Sequence, residues 1–83
     1  MKFYTFMVRN HIDDTGPIGK LARDMKEDKE HFPMNGVMKF DGWHRIMRDY
    51  LEGCGAEDKY LDAFEEAWKE YEQCERKRLK LKL

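Results

Sequence analysis

Asp14-Thr15-Gly16 spells the triplet that aspartic proteases use to present a catalytic carboxylate. That chemistry needs two such aspartates sharing one proton, each on a loop between buried strands. Here the triplet leads into Pro17 and a helical pattern, so it reads as the start of a helix. His11, His31, His44, Cys54 and Cys74 are the remaining groups able to ligate a metal or form a nucleophile–base pair. They include no close cysteine pair and no two ligands three or four residues apart on a helix. Cys74 falls on an apolar stripe and is expected to be packed. Cys54, between two glycines, reads as a turn thiol, and His44 as a helix-surface or interhelical hydrogen-bonding group. The chain has no serine and only two threonines, Thr5 and Thr15, so no nucleophile elbow can be built. No glycine-rich phosphate loop is present, since Gly53-Cys54-Gly55 reads as a helix stop. No catalytic residue, metal site or cofactor is expected, and the chain reads as a non-enzyme.

Charge is the more informative chemistry. The formal net charge is −1, but its distribution is uneven. From Glu57 to Glu75 there are eight acids against two lysines, and the last eight residues then carry five cations, Arg76, Lys77, Arg78, Lys80 and Lys82. Asp62, Glu65, Glu66, Glu70 and Glu72 suit a solvated face or a surface for a basic partner. The basic segment has three readings: a disordered end, a grip on phosphates, or a strand added to another chain. Disorder or self-association ranks first, because the neighbouring acids oppose nucleic acid.

The elements that must position these residues follow from periodicity. A chain of 83 residues makes one domain with one core, and 41% apolar against 40% charged residues leaves the eleven aromatics and six methionines to fill it. Residues 2–11 are ambiguous: Phe3, Phe6 and Met7 suit a helix, whereas Phe3, Thr5 and Met7 suit one face of a strand, which residue type favours slightly. Ile18, Leu21, Ala22 and Met25 predict a helix from Pro17, capped by Asp14, Thr15 or Gly16 and over by Phe32-Pro33. After a connector with a turn at Asn35-Gly36, Asp41 suits the cap of a third helix. Trp43, Ile46, Met47, Tyr50 and Leu51 would form its apolar face, and Gly53 its left-handed end. Tyr60, Leu61, Phe64, Ala67, Trp68, Tyr71 and Cys74 predict a long fourth helix whose pattern breaks beyond Arg78. The aromatics of this stripe read as core, with Tyr71 the ring most able to be exposed. The N-terminal residues do not read as a signal peptide and no apolar run reaches membrane-spanning length, so a cytoplasmic protein with reduced thiols is expected.

Several stretches in this order resemble the YozE family: FYTFM at 3–7, Asp14 and Gly16 in a spacer, IGKLARDM at 18–25, FP at 32–33, WHRIMRDYLE at 43–52 and YLDAFEEAWKEYE at 60–72. The resemblance implies a small bacterial protein with a sterile-alpha-motif-like helical fold and no established activity. It favours a helix for residues 3–11. Two departures stand out, a connector between Pro33 and Trp43 that is longer than the family's, and the RKRLKLKL segment beyond the shared region.

The expected fold is therefore all-α, a compact four- to five-helix bundle of sterile-alpha-motif-like type over residues 1–75 with a basic tail at 76–83. The expected function is protein binding, by a monomer or weak dimer, through the acidic face, the connector at 34–42, or both. One alternative is nucleic-acid binding by Arg45, Arg48, Arg76, Lys77, Arg78, Lys80 and Lys82. Another is an acidic inhibitor, of bacterial or phage type, of a host nucleic-acid enzyme such as a defence nuclease.

Overall fold

A computed structural model describes residues 1–34 and 40–81, which hold four helices and no strand. These are α1 (Phe3–His11), α2 (Gly16–Glu27), α3 (Phe40–Gly53) and α4 (Asp58–Leu81). Residues 35–39, with the Asn35-Gly36 turn and most of the longer connector, lie outside the described residues, as do Lys82 and Leu83.

Residues 3–11 form a helix because their apolar side chains satisfy the helical spacing in three dimensions. Phe3, Phe6 and Met7 are all buried on one face of α1. α4 packs against each of the other helices, and α1 also packs on α2. The centre is aromatic: the Phe3 ring lies 5.5 Å from Phe64, 5.0 Å from Trp68 and 5.4 Å from Tyr71. Phe3 meets Phe64 and Tyr71 edge to face, the arrangement that the ring quadrupoles prefer. Tyr71, far from being an exposed edge, is 1% exposed, and its hydroxyl donates to the Met1 carbonyl.

Three local expectations are corrected. The left-handed residue after α3 is Gly55, at φ +80°, and Gly53 is the last helical residue. Gly55 N–H donates to Glu52 O at 3.0 Å and Ala56 N–H to Leu51 O at 3.1 Å, the paired bonds of a Schellman end. Asp41 stands inside the first turn of α3, which starts at Phe40. Ile46 is 48% exposed, while Met47 and Leu51 carry that helix's burial and Trp43 and Tyr50 are half-buried.

At the start of α2, Thr15 occupies the cap position without a side-chain cap bond. Asp14 instead turns its carboxylate to His11 Nδ1 at 2.6 Å. Its carbonyl sits so close to Gly19 that a Cβ there would lie 1.8 Å from the oxygen. Arg23 fixes the same loop, donating from Nη1 to Ile12 O at 3.1 Å and Asp14 O at 3.0 Å.

α4 continues past Arg78 to Leu81, so residues 76–81 are helical rather than a disordered or strand-like segment. Its 24 residues make a rod of about 36 Å, close to the 40 Å long dimension of the molecule. Core contacts along it finish near Tyr71. That is why Cys74, although on the extrapolated stripe, is exposed: among the described residues no helix covers α4 beyond Tyr71.

Candidate functional site: the acidic lines of α4

The five acids singled out on α4 fall on two lines. Asp62, Glu66 and Glu70 recur every fourth residue, which stacks them about 6 Å apart along one side of the helix. Glu65 and Glu72, seven residues apart, lie on another. The second line faces cations within the molecule. Glu65 sits 2.7 Å from His44 Nε2 and accepts from Arg48 Nη1 at 3.0 Å, and Glu72 accepts from Arg76 at 3.4 Å. Burial pushes the Glu65 carboxyl up, but the bonds from His44 and Arg48 outweigh it and hold the group below its ordinary range. The His44 ring also stacks on Phe64, with centroids 5.4 Å apart, and meets Trp68 edge-on at 5.6 Å. Of the two roles read for His44 from sequence, helix-surface or interhelical, the contact to Glu65 is the interhelical one.

The first line is different. Asp62 and Glu66 are exposed and make no ion pair or hydrogen bond with another described residue. They wall a groove of about 270 Å³ between α4 and the start of α2, floored by Pro17, Ile18 and Ala63, with Lys59 at its rim. Glu70 reaches His11 Nε2 at 2.9 Å. His11, whose side chain is 12% exposed, thus bridges Asp14 and Glu70 and ties the end of α1 to α4. Burial lowers its pKa, but the two carboxylates more than offset this and raise it above the ordinary 6.5.

Among the described residues the cations do not gather into one surface. Arg48 is held between Glu52 at 3.1 Å and Glu65 at 3.0 Å, while Arg45 is 87% exposed with Asp49 at 4.0 Å. Arg76 stands eleven residues beyond Glu65, about 16 Å along the helix. Arg78 lies 3.9 Å from Glu75, and Lys77 is exposed.

The family model for the YozE SAM-like fold matches residues 2–73. The chain belongs to the YozE family. No curated protein and no solved structure matches it. The YozE match takes in both lines of α4 acids and stops short of Cys74 and the basic residues from Arg76 onward. Among the described residues, this YozE domain has no cluster of three His, Cys, Asp or Glu arranged to hold a metal, and no helix long and apolar enough to cross a membrane.

One constellation was not visible in the sequence. The Tyr50 hydroxyl donates to Asp28 across 22 residues, beside Cys54. The Asp28 bond, then burial and the nearby Cys54, raise the Tyr50 pKa well above its ordinary value. No local spacing could announce it, because the partners come from the end of α2 and the last turn of α3.

Proposed function

We propose that this YozE-family domain is a non-enzymatic protein-interaction module that meets its partner along Asp62, Glu66 and Glu70. The observation that carries the reading is the unpartnered state, among described residues, of Asp62 and Glu66 beside an apolar groove. Like charges four residues apart on a helix cost a few tenths of a kcal/mol, and among the described residues no ion pair to Asp62 or Glu66 offsets that. A partner offering lysine or arginine beside an apolar side chain would relieve the repulsion and cover Ile18 and Ala63 together. The same acids disfavour phosphate, and Arg48, one of the two α3 cations considered for nucleic acid, is engaged by Glu52 and Glu65. An inhibitor occupying the basic channel of a nucleic-acid enzyme is a special case, singled out by competition with nucleic acid for that partner.

The test is affinity capture at low and high salt with the wild-type chain, with D62N/E66Q/E70Q, and with E52Q as a charge control away from the groove. The proposal expects a partner that the wild type and E52Q retain at low salt and that the triple variant loses. Equal retention by the triple variant would overturn it.

A further inference from the structure

We infer that a second cleft, where the ends of α2 and α3 meet the start of α4, takes one basic side chain from an apolar segment of a partner protein. It is separate from the α4 groove and does not rest on that reading. The cleft measures about 270 Å³, just below the roughly 300–1,000 Å³ of small-molecule sites. A single long side chain fits such a space. Its floor is apolar, from Met25, Phe32 and Leu51, and its rim carries the carboxylates of Asp24, Asp28 and Glu57 with no lysine or arginine among the lining residues.

That combination matches lysine or arginine, whose methylenes lie on apolar surface while the charge stays at a polar edge. The Tyr50 hydroxyl, by donating to Asp28, fixes that carboxylate at the cleft. The other two acids are held only by exposed pairs, Asp24 with Lys20 at 3.0 Å and Glu57 with Lys59 at 3.7 Å, which exchange readily for an incoming cation. The Tyr60 ring, also in the lining, already attracts cations: Lys20 and Lys59 lie 5.8 and 5.3 Å from its centroid. The described basic residues at the end of α4 cannot supply the side chain within one molecule. Leu79 is nineteen residues beyond Tyr60 on the same helix, about 28 Å away.

The two exposed thiols make the test internal. Cys54 lines the cleft and Cys74 does not. The full chain at micromolar concentration is treated with a thiol reagent, and the alkylation of each cysteine is followed by mass spectrometry. The additions are the capped pentapeptide Leu-Lys-Leu-Lys-Leu or its counterpart Leu-Glu-Leu-Glu-Leu. At a peptide concentration about four times Kd, occupancy of about 80% slows Cys54 about fivefold. The expected result is protection of Cys54 by the lysine peptide alone, with the Cys74 rate unchanged, and its loss in D24N/E57Q. Backbone amide shifts of Ala56 and Tyr60 on titration with the same peptides give a second reading that needs no thiol. No shift and no protection, equal effects of both peptides, or equal protection of Cys74 would overturn the inference. Protection that grows with protein concentration in the absence of peptide would make the occupant a second copy and overturn the assignment to a separate partner.

Discussion

Gly19→Ala is the substitution with the sharpest structural consequence. A Cβ at this position would stand 1.8 Å from Asp14 O and 2.5 Å from Asp14 C, both backbone atoms, so no rotamer relieves the contact. The loop must leave α2. Overpacking of this kind costs about 1–3 kcal/mol. The displaced loop also strains the Arg23 bonds to Ile12 O and Asp14 O, each worth about 0.5–1 kcal/mol. The total is about 2–5 kcal/mol, a large part or all of the roughly 5 kcal/mol expected of so small a domain. With a urea m-value of about 1 kcal/mol per molar, the midpoint falls by roughly 2–5 M. Gly42→Ala is the control: Gly42 lies inside α3 with nothing within 4 Å of the new carbon. It should stabilise by about 0.5–1 kcal/mol through helix propensity. Urea denaturation followed by circular dichroism measures both. A Gly19→Ala midpoint within 0.5 M of the wild type (about 0.5 kcal/mol) would refute the close approach and the loop geometry that presents Asp14 to His11.

The remaining expectations concern titration and register. The folded-state pKa of His11 is raised above 6.5, so its contribution to stability is complete below about pH 6.5 and is lost as pH rises through the higher folded value. Denaturation midpoints of the wild type should therefore fall on the alkaline side of that range, and those of His11→Gln should not. Glu65 has the opposite sign: its pKa is lowered, so its contribution is present above about 4.5 and is lost as pH falls through the folded value. At neutral pH Glu65→Gln should cost no more than about 1 kcal/mol, because the carboxylate is one-third exposed, and the variant should lose part of the wild type's acid sensitivity. In α3, Met47→Ala should cost about 2–5 kcal/mol and Ile46→Ala less than about 0.5 kcal/mol, since the first is fully buried and the second 48% exposed. Thermal melts of the pair would contradict the observed register if the order were reversed.

Helical spacing made most of the core legible. Leu21, Ala22 and Met25 on α2, and Phe64, Ala67 and Trp68 on α4, follow the stripes that periodicity predicts and are buried. Residues 3–11 were not legible from pattern, because Phe3, Thr5 and Met7 serve a strand as well as Phe3, Phe6 and Met7 serve a helix; the YozE resemblance favoured the helix. Where a stripe outruns its neighbours the pattern misleads. Cys74 keeps the spacing but has nothing to pack against, and Ile46 has the right residue type at the outer edge of α3. At the candidate site, the five α4 acids could be named from sequence, but not their division. Which of them meets a cation depends on where α1 and α3 place His11, His44 and Arg48, and those contacts span 17 to 59 residues. The Asp28–Tyr50–Cys54 cleft lies beyond sequence reading for the same reason.

Site-specific photo-cross-linking bears most directly on the claim that the Asp62–Glu66–Glu70 line of α4 meets a protein. A benzophenone side chain is placed at the exposed Glu66, or at the exposed Arg45 as the comparison, and adducts formed in cell extract are separated and identified. The account predicts a discrete protein adduct from position 66 that added salt suppresses, and no matching adduct from position 45. A nucleic-acid adduct, or a protein adduct from Arg45 with none from Glu66, would contradict it.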